Sequence, residues 1–389
     1  MLCYEYPPLG GGGGIGVRQY AKAWAARGCR VAVLTSRARG LPARQVEEGV
    51  EVIRVATLGR RERATATNLA MLTYNVAGLL HVVAHRRPLQ AFEVLNTHFS
   101  IPTGPLGWAV ARLLGRPNVL TIIGGDIYDP TKRSSPHRSR LLRRLNAWII
   151  NHADRVVAIS GDTRARAAEH YRIRRPIRVI NYGYTPVRSE TRLPSDLELD
   201  PGRYHLVAVG RLVRRKGFDH LIRALSRLPE DVELLLIGDG PLEGDLRRVA
   251  ETDGVGERVR FLGFRSRAVV RAILQEADCF VLSSLHEGLG IVVQEAMDAG
   301  LPVVATDNGG QVDLVRHGRN GLLVPPSDPG ALVDAVRTIR DDPALAETMR
   351  RNNMADIREH YMDRNCELYL DLFRELVGPK ASPQAIPSG

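Results

Sequence analysis

The chain has 389 residues, 44% hydrophobic and 25% charged, an ordinary soluble composition too long for a single core, so two domains are expected. Its net charge of +11 is uneven: residues 1–195 carry 30 Lys+Arg against 12 Asp+Glu and residues 196–389 carry 24 against 31, so the two halves present different surfaces, the basic one suited to a membrane, nucleic acid or phosphorylated ligand. No apolar run approaches the ~20 residues that span a bilayer, no basic-then-apolar leader opens the chain, and four scattered cysteines (Cys3, Cys29, Cys279, Cys366) without a C-x-x-C pair argue against zinc or a disulfide framework and suit a reducing cytosol.

A short strand leads into the glycine run 10–16, and 18–27 reads as a helix. Strands are predicted at 31–34, 50–55, 94–95, 119–123, 156–159 and 177–180, with helices between them at 67–85, 107–114, 138–152 and 163–171. The polar, Pro-containing stretch 185–203 reads as a linker between domains 1–184 and 204–361. The alternation then restarts. Strands fall at 206–209, 233–237, 259–262, 279–282, 303–304 and 321–324, and helices at 218–228, 242–252, 267–276, 292–299 and 329–341. Residues 344–376 look helical with a break near His360-Tyr361, and 379–389 read as a flexible tail. Strands alternating with helices in both halves predict α/β architecture, with a ligand at the carboxyl ends of the strands.

Three segments carry chemistry. The run Gly10 to Gly16 precedes a helix, where free N–H groups attract an anion, although a glycine run is equally at home in a flexible loop. It lacks the Lys-Ser or Lys-Thr of a Walker loop and does not form a G-x-G-x-x-G fingerprint. The second segment, Gly210-Arg211-Leu212-Val213-Arg214-Arg215-Lys216-Gly217, follows a strand and places Arg211 and Lys216 where both could reach a diphosphate; a solvated basic turn is the plainer alternative. The third runs from Glu287 to Glu295 and enters a helix. Its two carboxylates could accept hydroxyls of ribose and hexose, and its glycines expose backbone N–H groups to phosphate. Acids complementing the helix dipole would explain Glu287 better than Glu295, whose neighbours are apolar.

The last two segments resemble the G-R-x-x-x-x-K-G and E-x7-E signatures of the family 4 retaining glycosyltransferases (GT4), which have the GT-B fold: α/β, with two Rossmann-like, doubly wound parallel-sheet domains and an interdomain cleft. The glycine run with Tyr20-Ala21 and the segments 154–160, 238–241, 261–263, 300–310 and 318–325 fit at matching positions, so the resemblance covers almost the whole chain. It implies an acceptor-side domain at 1–184, a nucleotide-sugar donor domain at 204–361, and a C-terminal helix at about 362–378 that packs back on the first domain. It further implies that Arg211 and Lys216 bind the donor diphosphate, Glu295 the ribose hydroxyls and Glu287 the hydroxyls of the transferred sugar. Gly210 belongs to the cationic turn, Gly288, Leu289, Gly290 and Ile291 would give backbone contacts, and Gly13 and Gly14 would close over the phosphates. His98 matches a histidine beside the donor sugar, and Asp126 a polar position on the acceptor side.

Departures from the pattern are visible. The first strand is unusually short, as expected of a start that omits residues. Asn181-Tyr182-Gly183 stands where P-N-G is usual, Leu289 where an aromatic is frequent, and Gln311-Val312-Asp313 where I-P-E is common. The expected reaction is front-face, retaining transfer of a sugar from a UDP- or GDP-sugar to a hydroxyl of a glycan or lipid-linked acceptor in cell-envelope or polysaccharide biosynthesis. No cofactor and no metal are expected. Residues 132–150 pair a basic run with an apolar stripe (Leu141, Leu145, Trp148, Ile149); a core-facing stripe with solvated arginines is the plainer reading, and peripheral contact of a cytoplasmic protein with the anionic inner face of the cell membrane is the functional alternative. Nucleic acid is disfavoured as a partner by an aromatic content of 5%. A sugar-nucleotide epimerase of the same fold, or a basic-surface binding protein without catalysis, remain the rival readings.

Overall fold

The computed structural model describes residues 1–59, 67–187, 193 and 197–378. Much of the expected linker and all of the expected tail therefore lie outside the described residues. The chain divides into two compact units, one formed by Met1–Gly183 with Met362–Gly389 and the other by Tyr184–Tyr361.

In chain order the first unit contains α1 (Gly12–Ala26), β1 (Val31–Arg37), β2 (Arg44–Glu47), β3 (Val50–Ala56), α2 (Asn68–Ala84), α3 (Arg86–Leu89), β4 (Leu95–His98), α4 (Gly104–Leu114), β5 (Asn118–Ile122), α5 (Arg140–His152), β6 (Arg155–Ala158), α6 (Gly161–His170) and β7 (Ile177–Val179). The second contains β8 (Tyr204–Val209), α7 (Phe218–Leu225), β9 (Val232–Ile237), α8 (Glu243–Thr252), β10 (Val259–Gly263), α9 (Arg267–Glu276), β11 (Cys279–Leu282), α10 (Ile291–Asp298), β12 (Val303–Thr306), β13 (Gly321–Val324), α11 (Pro329–Asp341) and α12 (Pro343–Asp356). The last helix, α13 (Met362–Val377), belongs to the first unit.

The second sheet is parallel throughout, in the order β10-β9-β8-β11-β12-β13. Its central strands are mostly apolar because helices cover both faces, as β9 illustrates, buried at every position with Glu233 its one charged residue. Leu206, Leu234, Leu236 and Val281 anchor the core with Leu221, Ile222 and Ile339 from the helices.

In the first unit β1-β3-β2 and β4-β5-β6-β7 form two ladders. Residues Met1–Cys3 join them. The Leu2 N–H donates to Asn96 O (2.8 Å), the Leu2 carbonyl accepts from His98 N (2.9 Å), and the Cys3 N–H donates to Leu34 O (3.2 Å). The predicted first strand is thus reduced to a bridge at Leu2, parallel to both Leu34 and Thr97. The antiparallel strand β2 has no predicted counterpart; it is a short, half-exposed edge paired to β3. Tyr369 fixes α13 against this unit, its ring meeting Tyr20 at 4.8 Å and its hydroxyl lying 3.0 Å from Thr121 Oγ1. Of the cysteines, all of them free, Cys3, Cys279 and Cys366 are buried and Cys29 is half-buried.

The glycine run is the main local difference from expectation. Helix α1 begins at Gly12, so Gly12, Gly13, Gly14 and Gly16 lie inside it rather than in a preceding loop. Glycine disfavours a helix interior by about 1 kcal/mol, but close packing decides here. A Cβ on Gly13 would come within 2.6 Å of Phe99 Cζ, and one on Gly16 would overlap the Tyr182 ring. Tyr182, the residue that departs from P-N-G, fills the space that Gly16 leaves.

Candidate active site

β8 and β11 are hydrogen-bonded neighbours, yet the chain proceeds from them to opposite sides of the sheet. Such a reversal point opens a crevice at the strands' carboxyl ends. Both motif loops of the second unit leave from it. After β8 the chain turns through 210–213 into a single 3-10 turn, Arg214–Lys216. The two loops are tied together by Leu285 N donating to Arg215 O (2.7 Å) and Ser283 Oγ donating to Lys216 O (3.0 Å).

These ties deliver the Lys216 ammonium to the Glu287 carboxylate, Nζ to Oε1 at 2.7 Å, with side chains only 10% and 9% exposed. Ser284 Oγ donates to the same oxygen at 2.7 Å, and Oε2 receives no hydrogen bond from the described residues. Burial pushes the Glu287 carboxyl upward, but Lys216, Arg215 and the hydrogen bonds from Lys216 and Ser284 outweigh it and hold the group down at about 2. Gly210 lies against the Lys216 stem, where a Cβ would approach Cε to 2.8 Å. Arg211, on the same turn, is exposed.

Beyond Glu287 the backbone is braced from β12's side: Gly310 N donates to Glu287 O at 2.9 Å. Gly288 and the buried Leu289 lead to Gly290, whose φ of 89° is open to glycine and caps α10 at Ile291. Glu295 falls in the second turn of that helix, as expected. It does not join the Lys216–Glu287 pair. Its Oε1 takes Arg267 Nε at 2.8 Å, and Arg267 is further placed by Thr185 O at 3.3 Å. Burial raises the Glu295 carboxyl above its ordinary range despite Arg267. Sequence reasoning missed Arg267, Ser284 and Arg215; the first of these lies 28 positions from its partner, beyond any local pattern.

The first unit has an equivalent reversal point between Met1–Cys3 and β4. Gly13 and Gly14 open α1 there, and His98 ends β4. Phe99, packed on Gly13, adopts a φ of 71°, a conformation costly for an aromatic residue and of the kind that clusters at functional sites. His98 is fully buried, with Nε2 at 2.6 Å from Asn96 Oδ1 and Nδ1 at 3.2 Å from the Tyr182 hydroxyl. Burial, aided by the amino group of Met1, lowers its pKa to about 3, so the ring is neutral near pH 7. Asp126 is buried as well. Its Oδ2 accepts from Ser100 N (2.6 Å) and its Oδ1 from Ile123 N (2.9 Å), clamping the ends of β4 and β5. Burial raises its pKa in spite of those bonds. Both residues thus sit behind the reversal point with their polar atoms engaged. Among the described residues no group of three His, Cys, Asp or Glu side chains could hold a metal ion.

A family model described as glycosyl transferases group 1 matches residues 189–356, and one described as glycosyl transferase 4-like domain matches residues 11–183. The chain is 30% identical to an alpha-D-kanosaminyltransferase of Streptomyces kanamyceticus over 265 residues, 63% of this chain and 67% of that protein. It is 36% identical over 180 residues to the lipopolysaccharide core biosynthesis glycosyltransferase LpsD of Rhizobium meliloti; that match spans 46% of this chain and about half, 52%, of the relative. Among solved structures, Anabaena Alr3699/HepE in complex with UDP-glucose shares the fold with a TM-score of 0.73 at 20% identity, covering 95% of this chain and 98% of that one.

Proposed function

The chain belongs to the GT4 glycosyltransferases and has the GT-B fold, and from that premise we propose that it is a retaining, metal-independent enzyme moving a sugar from a nucleoside-diphosphate sugar to a hydroxyl of a glycan or lipid-linked acceptor. The observation that carries this reading is the buried Lys216–Glu287 pair at the reversal point of the second sheet. When the glycosidic bond of the donor breaks, negative charge builds on the departing diphosphate. Lys216 and Arg211, on one rigid turn, supply fixed positive charge there in place of a metal. Glu287 uses Oε1 to hold the ammonium and keeps Oε2 for a hydroxyl of the transferred sugar. Glu295 is arranged in the same way, with Oε1 on Arg267 and Oε2 left for ribose. A carboxylate that stays ionised at every physiological pH, as Glu287 does, suits a hydroxyl-binding role rather than that of a titrating base.

The UDP-glucose held by the Anabaena protein favours UDP as the base-bearing leaving group, and the lipopolysaccharide-core relative favours a cell-envelope acceptor. The test is donor hydrolysis and transfer in the presence of EDTA, with the anomeric configuration of the product read by NMR. Turnover that persists in EDTA with a retained anomer supports the proposal. Turnover abolished by EDTA and restored by a divalent ion, or an inverted product, overturns it.

A further inference from the structure

We propose that the outer face of α2 is a lipid-docking surface that lies in the headgroup layer of an anionic membrane. Leu69, Leu72, Val76, Leu80 and Val83 are 52%, 64%, 55%, 65% and 55% exposed. Their spacings of three, four, four and three residues line them along one side of the helix. The opposite side buries Ala70, Tyr74, Gly78 and Val82, and the helix, whose polar residues are Asn68, Thr73, Asn75 and His81, carries no Asp, Glu, Lys or Arg. Leu58, 65% exposed, adjoins the stripe, its N–H donating to Thr73 Oγ1 at 3.0 Å. A water-facing helix normally turns charged residues outward; a continuous exposed apolar stripe marks a surface that something covers.

Charge identifies the occupant. Helix α2 packs on α4, and α4 on α5. Helices α2, α3, α4 and α5 contain no Asp or Glu, whereas exposed arginines stand at Arg86, Arg87, Arg112, Arg140, Arg143 and Arg144. Trp108 of α4 meets Trp148 of α5 edge-on at 4.9 Å, and Trp148 is 36% exposed, a residue type suited to the boundary between apolar and wet layers. A second copy of this chain on the same face would set arginine against arginine with no carboxylate from these helices between them. An anionic lipid supplies both the apolar layer and the missing counter-charge. No helix among the described residues is long and apolar enough to cross a membrane, and at ~25 Å α2 lies along the surface rather than through it.

The test is co-sedimentation of the full chain with phosphatidylcholine vesicles, with and without about 30 mol% phosphatidylglycerol. The wild type is expected to bind the anionic vesicles, and ~0.5 M salt is expected to weaken binding. The double variant Leu72→Ser/Leu80→Ser is expected to lose about tenfold or more in partitioning. Arg86→Ser/Arg87→Ser is expected to weaken binding to anionic vesicles alone. Melting temperature and nucleotide binding of both variants, measured without lipid, separate a surface effect from misfolding and from failure of the proposed reaction. Wild-type protein that ignores anionic vesicles, partitioning unchanged by the leucine pair, or a dimer in size-exclusion chromatography that the leucine pair dissolves while no vesicle binding occurs, each overturns the proposal.

Discussion

The Lys216 ammonium and the Glu287 carboxylate, 71 positions apart in the chain, meet at 2.7 Å with both side chains buried. Removing either partner strands the other. Lys216→Ala is therefore expected to cost ~3–5 kcal/mol of stability and to slow donor turnover roughly 10- to 150-fold through the lost charge-assisted contact. Lys216→Met with Glu287→Leu, which removes both charges, is expected to recover most of the stability and none of the activity. Urea unfolding and a donor-hydrolysis assay measure the two effects separately. Wild-type turnover by Lys216→Ala would remove the ammonium from the mechanism.

Much of the fold and of each motif loop is legible in the sequence because it is local, whereas the Lys216–Glu287 contact, which joins separate elements, is not. The apolar runs became strands within a few residues of their expected limits, and Glu287 and Glu295 took the loop and the second helical turn that their spacing implies. Arg267 was invisible because its contact with Glu295 joins separate elements. The start of α1 was misplaced because propensity penalises glycine, whereas Phe99 and Tyr182 demand it. The exposed face of α2 was missed for another reason: apolar residues at helical spacing look like core, and only the fold shows which side meets water. The stripe predicted on α5 proved divided, with Ile149 buried and Leu141 75% exposed.

His98 links pH to the stability of the first unit. Its folded pKa, lowered to about 3 by burial, lies below the unfolded value near 6.5. The unfolded chain therefore binds the extra proton as pH falls below 6.5, and the contribution of neutral His98, complete above that pH, is lost progressively down to about 3. Between pH 7 and pH 5 this costs about 2 kcal/mol. Denaturant midpoints at the two values are expected to differ less in His98→Gln than in the wild type. An unchanged difference would show that the ring is not held neutral.

Arg267 is expected to tune nucleotide affinity through Glu295. Burial already raises the Glu295 carboxyl, and the guanidinium opposes that shift while fixing Oε1. In Arg267→Ala the carboxyl should protonate more readily and rotate more freely, weakening the hold on ribose hydroxyls proposed for it. A roughly 5- to 10-fold rise in Kd for the nucleoside diphosphate is expected, growing as pH falls because the carboxyl has lost the cation that opposes its protonation. Calorimetric titrations at two pH values check this. Affinity equal to wild type at both would leave the ion pair a purely structural contact.

Gly16 and Tyr182 test how the first unit accommodates its departure from P-N-G. The Tyr182 ring occupies the position a Cβ on Gly16 would take, and its hydroxyl approaches His98 Nδ1 at 3.2 Å, so the ring cannot move aside without loosening the histidine. Gly16→Ala gains helix propensity worth about 1 kcal/mol but forces an overlap costing ~1–3 kcal/mol, so net destabilisation of up to about 2 kcal/mol is expected. In a Tyr182→Leu background the overlap is relieved while the propensity gain remains, and the same glycine substitution becomes neutral or stabilising. A double-mutant cycle by urea unfolding is therefore expected to give a coupling of at least about 1 kcal/mol. Additive effects would mean that the helix start, rather than the ring beneath it, sets the requirement for glycine.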